Sequence, residues 1–180
     1  MSEATYDVVL LVEQALTADD ARRVRSLHQN IDDPVRYHVL MPCEDAAARV
    51  ETALGSVAAS EVLAVPALTM DPENVKQMQA ELHEQATSEV GDCIDRLGGS
   101  GASVDGEVVS SDPITALTAK VQQTQAAEVI ILTRPHVVAE FFHVDWTSRA
   151  RRKIGVPVLH LLEHESFDEQ AGGGEGASLI

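Results

Sequence analysis

A polar and aromatic loop near the end of the chain carries the residues best suited to hold a ligand. It follows the apolar run Val129–Leu132 and precedes the apolar run Val156–Leu162. Both runs read as buried strands, and ligands of open α/β sheets bind beside the carboxyl ends of strands. The loop therefore lies where a binding site is expected. The candidate site residues are Thr133, Arg134, His136, Trp146, Thr147 and Ser148.

Basic residues are concentrated in the same stretch. Five of the thirteen lie there: Arg134, Arg149, Arg151, Arg152 and Lys153. Guanidinium groups suit phosphates and carboxylates, so one interpretation is a site for a phosphorylated ligand. The other is a solvated helix face that balances acidic surface. Helical spacing places most of these residues away from the side that contains Trp146, Ala150 and Ile154, which favours the second interpretation.

Histidines in and near the loop are candidate metal ligands. His136, His143 and Asp145 are residue types that zinc accepts, but their spacing matches no closed site, so we predict no metal. His160 and His164 lie on the predicted last strand, where the strand rise would separate them by about 13 Å. They cannot chelate one ion there, and a pH-sensing role at an edge or interface remains an alternative.

Aromatic residues are only 3% of the chain, and three of them lie in the loop: Phe141, Phe142 and Trp146. They either fill a pocket or local core, or contact a partner, since aromatic anchors are enriched in interfaces.

Catalytic motifs are missing from the sequence. It has no nucleophile elbow, no P-loop and no G-x-G-x-x-G after a strand. We therefore predict no catalytic residue and favour a chain that is not an enzyme. A small hydrolase that uses His136 or His143 is the weakest alternative.

The elements that must position the loop are strands alternating with helices. The predicted strands are Asp7–Val12, Val35–Met41, Ala102–Ser110, Glu128–Leu132 and Val156–Leu162. Helices are predicted from the N-caps Thr17, Asp71 and Asp112, and also over 44–62 and 146–154. This alternation predicts an α/β fold with an open, mainly parallel five-stranded sheet and helices on both faces. If the last strand lies at a sheet edge it needs cover, and a homodimer through Val156–Leu162 is the simplest arrangement.

Composition limits the classes of partner. The 180 residues suit one domain over 1–165, with a glycine-rich acidic tail over 166–180 that we expect to be disordered. A net charge of −16 argues against binding of nucleic acid or of anionic membranes. The sequence lacks a signal peptide and a membrane span, so we expect a cytoplasmic protein. Cys43 and Cys93 are predicted to be free, buried thiols.

Three segments, taken in order, resemble the universal stress protein family. VVSSDPITAL at 108–117 is similar to that family's strand, Gly-Asp-Pro and helix. AEVIIL at 127–132 and GVPVLHL at 155–161 are similar to its last two strands. The resemblance covers about 102–163, and more weakly 7–41, whereas 44–70 is longer than is usual in the family. It implies a nucleotide-binding-type α/β fold and a homodimer.

Members of that family that bind ATP share a loop written G-x2-G-x9-G-(S/T), whose glycines let the backbone approach the phosphates. The present chain resembles this loop in spacing but not in glycines. Thr133, His136 and Trp146 stand at the glycine positions, and Thr147 stands at the Ser/Thr position. A tryptophan at the start of the helix would fill space that a phosphate needs.

Neighbouring residues also differ from the pattern of the ATP-binding members. Pro135 removes an amide donor, and Asp145, as N-cap, would compete for the amides that bind an anion. Glu13 and Gln14 follow the first strand, where those members carry an aspartate. The resemblance thus implies a regulatory or stress-response protein without standard ATP binding. The alternative is an adenine nucleotide, ATP or AMP, or another phosphate held in an altered pose near Arg134 and Thr147.

Overall fold

The computed structural model describes residues 5–43, 72–99, 101–110, 112–133 and 153–162. The predicted helix over 44–62, most of the loop after residue 133 and the tail over 166–180 lie outside these ranges. Among the described residues, no helix is long and apolar enough to cross a membrane.

Five strands and three helices make up the described structure. The strands are β1 (Tyr6–Val12), β2 (Val35–Pro42), β3 (Ser103–Val109), β4 (Glu128–Thr133) and β5 (Val158–Leu162). The helices are α1 (Ala18–Leu27), α2 (Pro72–Gly98) and α3 (Pro113–Thr124). All five predicted strands are confirmed. The last strand begins two residues later than predicted: Gly155 has a positive φ of 77°, and the register with β4 begins at Val158.

The five strands form one sheet in the order β3-β2-β1-β4-β5, and every described strand pair is parallel. β1 lies at the centre and pairs with β2 on one side and β4 on the other. The predicted α/β fold is therefore confirmed, with a sheet that is wholly rather than mainly parallel. β5 lies at one edge of this sheet, as considered from the sequence.

Helices cover both faces of the sheet, and two apolar clusters separate the faces. One cluster joins Val8, Leu10 and Val12 of β1 to α1 and α2. The other joins Val9 and Leu11 to α3 and includes Ile154. Alternate residues of β1 thus enter different cores, which explains why its apolar run is nearly continuous.

Helix α2 is buried over its carboxyl-terminal half only. Its buried residues are Ala86, Val90, Cys93 and Leu97. The predicted apolar stripe also included Val75, Met78 and Leu82, but these three are half-buried. The close contact with the sheet therefore falls at the end of the helix, where Val90 faces Gly106 of β3.

Candidate functional site

The strand order reverses at the centre of the sheet. From β1 the chain proceeds outward to β2 and β3, and it then returns to place β4 on the other side of β1. Val12 at the end of β1 is in register with Leu132 of β4. Connections that leave these two strands in opposite directions open a crevice at their carboxyl ends, the usual ligand position in such sheets.

The turn after β1 forms one wall of this crevice and is fixed by α2. The backbone amide of Leu16 donates to Cys93 Sγ at 3.3 Å, and Arg96 Nη1 donates to the Leu16 carbonyl. Leu16 is buried, whereas Glu13 and Gln14 before it are half-buried. The anchored turn therefore holds Glu13 and Gln14 at the mouth of the crevice.

The amino terminus of α1 is capped by the side chains of Thr17 and Asp20. Thr17 is the N-cap, as predicted, and its hydroxyl accepts from the Asp20 amide at 3.1 Å. Asp20 completes a capping box by accepting from the Thr17 amide at 3.1 Å, and it is only 2% exposed. A buried carboxylate already occupies the position where a helix would attract an anion.

The amino terminus of α3 is closed in the same manner. Asp112 is the predicted N-cap and accepts from both the amide and the hydroxyl of Thr115, each at 2.8 Å. These bonds, chiefly the one from the Thr115 amide, lower the pKa of Asp112, and the Lys153 charge lowers it further. The last basic residue of the predicted basic helix thus lies near the start of α3.

The predicted site residues lie almost entirely beyond the described ranges. The backbone of Thr133 ends β4 and is in register with Leu162 of β5, so this position is at the carboxyl edge as predicted. Arg134, His136, Trp146, Thr147 and Ser148 lie outside the described residues. From the predicted helix over 146–154, the structure describes its end, where Ile154 is buried and Lys153 is exposed, as the helical spacing predicted.

Two histidine networks at the opposite, amino-terminal edge of the sheet were missed from the sequence. On the face covered by α1 and α2, His28 Nδ1 lies 2.9 Å from the Tyr37 hydroxyl, and Nε2 bonds to Glu128. A carboxylate only accepts, so Nε2 carries the hydrogen, and in the neutral ring Nδ1 accepts from Tyr37. Burial raises the pKa of Tyr37 to about 12, an effect that Arg25 reduces and Glu128 reinforces.

His38 forms the second network on the other face of the sheet. Its Nε2 lies 2.8 Å from Asp7 Oδ1 and its Nδ1 lies 2.8 Å from Asp105 Oδ2. The three residues come from β1, β2 and β3, so the ring crosslinks neighbouring strands. Two carboxylates can each only accept, and a ring that donates from both nitrogens satisfies both.

A signal for these networks was present in the strands themselves. Asp7 and Glu128 are charged residues near the start of otherwise apolar, buried runs, and His38 lies within an apolar run. A buried charge requires a partner, so each should have prompted a search for one. The partners themselves could not be named, since Glu128 and His28 are 100 residues apart in sequence.

Metal ligands and thiols are the other reactive groups to consider among the described residues. Within the described ranges, no three His, Cys, Asp or Glu side chains are grouped to hold a metal ion. Neither cysteine forms a disulfide, as predicted, but only Cys93 is buried, while Cys43 is half-buried. Burial raises the pKa of Cys93 to about 11.

Comparison with known proteins gives structural matches only. No protein-family profile and no curated protein sequence matches the chain. Hypothetical protein MJ0577 is similar with a TM-score of 0.61 and 14% identity, over 89% of this chain and 97% of that chain. A universal stress protein family protein from Arabidopsis thaliana with AMP bound is similar with a TM-score of 0.50 and 11% identity, over 91% of this chain and 94% of that chain. Hypothetical protein PH0823 is similar with a TM-score of 0.50 and 13% identity, over 89% of this chain and 98% of that chain.

Proposed function

We propose a regulatory, non-catalytic function for this chain, which has the α/β fold of the universal stress protein family, as its sequence implied. In this proposal the protein is a cytoplasmic homodimer that acts through contacts with a regulatory protein partner. It does not bind ATP in the manner of the glycine-loop members.

The main support for the absence of standard ATP binding in this proposal is the capping of the amino termini of α1 and α3 at the carboxyl edge of the sheet. A phosphate at this edge would need free amide donors at a helix start. Asp20 accepts from the Thr17 amide immediately before α1, Asp112 accepts from the Thr115 amide of α3, and each adds a negative charge at the helix start. The segment after Thr133 is a further source of amide donors, and there Pro135 removes a donor and Trp146 replaces a glycine of the phosphate loop.

A second candidate function is the binding of an adenine nucleotide in an altered pose. The observation that favours it is the AMP-bound protein from Arabidopsis thaliana, which shares this fold. The reversal of strand order between β1 and β4 is present here, and the Lys153 charge acts on Asp112 at the start of α3. In this alternative Arg134 and Thr147 contact the phosphate.

The homodimer is proposed to form through Val156–Leu162. β5 ends the sheet, and its residues Val158, Leu159 and His160 are half-buried rather than buried. An apolar edge strand of this kind is a template for pairing with another chain. A second copy would extend the sheet about a twofold axis.

Calorimetric titration with ATP and with AMP tests the nucleotide part of the proposal. We expect no saturable heat from either nucleotide at the wild-type protein. Trp146→Gly should open the crevice if the indole fills it, and binding should then appear. Stoichiometric binding of ATP or AMP to the wild type would refute the leading proposal and support the alternative.

Arginine variants then distinguish the two candidates further. If a nucleotide does bind, Arg134→Ala should abolish binding, whereas Arg22→Ala should not. Arg22 is a suitable control because it is an exposed arginine on α1 that pairs with Asp19. Equal affinity in both variants would remove Arg134 from the site.

Native mass spectrometry and light scattering test the dimer. We expect twice the chain mass of 19.3 kDa at micromolar protein. A monomer under those conditions would contradict the dimer while leaving the nucleotide result unaffected.

A further inference from the structure

A cavity of about 410 Å³ opens at the amino-terminal edge of the sheet, opposite the crevice. It lies between the end of α1, the start of β2 and the turn before β3. Its volume is within the range of about 300–1,000 Å³ that is typical of small-molecule pockets. Neither the proposed nucleotide site nor the proposed dimer edge uses this cavity.

The wall of the cavity contains two members of the first histidine network, Tyr37 and His28. Tyr37 and His28 both line it, and they are 2% and 5% exposed. Their mutual bond and the bond from His28 to Glu128 fix both rings. The edge-on packing of the two rings, with centroids 5.5 Å apart, adds to this rigidity. The cavity therefore has a preorganised polar wall beside apolar side chains such as Val35.

The charge of the lining favours an anion. Arg25 and Arg36 contribute two guanidinium groups, and Asp33 is the single acidic residue among the described residues that line the cavity. The Arg25 charge reaches the Tyr37 phenol, since it lowers the pKa of that group against the effect of burial. A local excess of positive charge in a chain of net charge −16 attracts small anions selectively.

The turn before β3 forms the remaining wall and is also ordered. Gly101 has a φ of 86°, a conformation that favours glycine, and its amide donates to the Gly98 carbonyl at 2.8 Å. The Arg25 guanidinium also donates to the Arg96 carbonyl at the end of α2. The cavity is thus built by three elements that are tied together.

We propose that this cavity binds a small molecule through an oxyanion group, a phosphate or a carboxylate, held by Arg25 and Arg36. Guanidinium forks match the geometry of both groups. Tyr37 and His28 form the rigid floor of the cavity beneath the two arginines.

Titrations followed by amide NMR spectra of the full chain test this proposal. The probes are inorganic phosphate and succinate, each against sodium chloride of equal ionic strength. We expect saturable shifts of the amides of Gly101, Ala102 and Val35 at about 10 mM probe, ten times a millimolar dissociation constant. The amides of Val12 and Leu132 at the opposite edge should not move.

Arginine variants provide the control. Arg36→Met should weaken binding at least tenfold, because it removes one of the two guanidinium groups. Arg36 is exposed, so its loss should leave the fold intact. Arg25→Met should do the same, although it also removes the bond to α2. Arg22→Met, on another side of α1, should leave the affinity unchanged.

Each result decides the proposal. Saturable shifts that disappear in Arg36→Met and persist in Arg22→Met support it, and the stronger of the two probes identifies the preferred oxyanion. Shifts no larger than those in sodium chloride would overturn it. Shifts in Arg36→Met and Arg25→Met that are as large as those in the wild type would overturn it too, since the guanidinium groups would then not hold the ligand.

Discussion

Gly106 of β3 is the position where the sheet and α2 approach most closely, and replacing it tests the packing between them. A Cβ atom at this position would lie 2.6 Å from Val90 Cγ1 and 3.2 Å from Val39 Cβ. Carbon atoms in contact prefer separations of about 3.5–4.0 Å, so Gly106→Ala requires a movement of about 1 Å.

The surroundings cannot absorb that movement cheaply. Val90 is a β-branched residue in a helix, where one side-chain rotamer strongly predominates. Val39 lies in β2, which is held on both sides by ladder bonds. Overpacking of this kind costs about 1–3 kcal/mol. The loss of glycine's chain entropy offsets about 0.5–1 kcal/mol of this cost, so we expect a net loss of stability of about 0–2.5 kcal/mol, near 1 kcal/mol at the middle of the two ranges.

Gly91→Ala is the matched control. Gly91 lies in α2 beside Val90, and nothing lies within 4 Å of the Cβ atom it would gain. Alanine is favoured over glycine in a helix by about 0.8–1.0 kcal/mol, so this variant should be more stable than the wild type. The two substitutions are chemically identical, and only the structure predicts that their effects have opposite signs.

Urea unfolding at neutral pH, monitored by circular dichroism, measures the free energy of unfolding of Gly106→Ala and of Gly91→Ala. In a thermal scan each kcal/mol should shift Tm by roughly 2–4 °C for a chain of this size. The loss of stability in the double variant Gly106→Ala/Val90→Ala should be smaller than the sum of the losses in the two single variants. The difference should be about 0.5–3 kcal/mol, because the two sites are in contact. A Gly106→Ala protein as stable as Gly91→Ala would refute the close approach of α2 to β3.

Three further predictions concern titratable residues. Asp112→Ala should lower the free energy of unfolding by about 1 kcal/mol or less, since the N-cap is exposed. The pKa of Asp112 is lowered in the folded protein, so its stabilising effect is present above the ordinary value of 3.8 and is lost as the pH falls through the lowered pKa. Unfolding of the wild type and of Asp112→Ala over a range of acid pH would show this. Cys93, with its pKa raised to about 11, should remain a thiol and resist a thiol reagent at pH 8 until the protein is unfolded, whereas the half-buried Cys43 should react sooner; fast modification of both in the native protein would contradict this. His38→Leu should destabilise the fold by about 1–3 kcal/mol, because it leaves Asp7 largely buried without the ring; Asp105→Asn should cost less, since that carboxylate is 57% exposed, and equal losses would argue against the crosslink.

The sequence determined the local structure of this protein. Strand β1 and helices α1 and α3 follow from apolar runs and from N-caps whose bonds span three residues, as Thr17 with Asp20 and Asp112 with Thr115 show. These signals are readable because both partners lie in one short segment. The resemblance to the universal stress protein family implied a nucleotide-binding-type α/β fold, and the observed fold agrees with it.

The tertiary structure alone decided which distant residues meet. His28 reaches Glu128 across 100 residues, and Leu16 reaches Cys93 across 77. No local pattern encodes such pairs, because they depend on the order in which the strands are placed in the sheet. The same placement brought Arg25, Arg36 and Tyr37 together around a cavity at the edge opposite the loop after Thr133. Spacing along the chain predicted where a ligand could bind at one end of the sheet, and packing created a second candidate at the other.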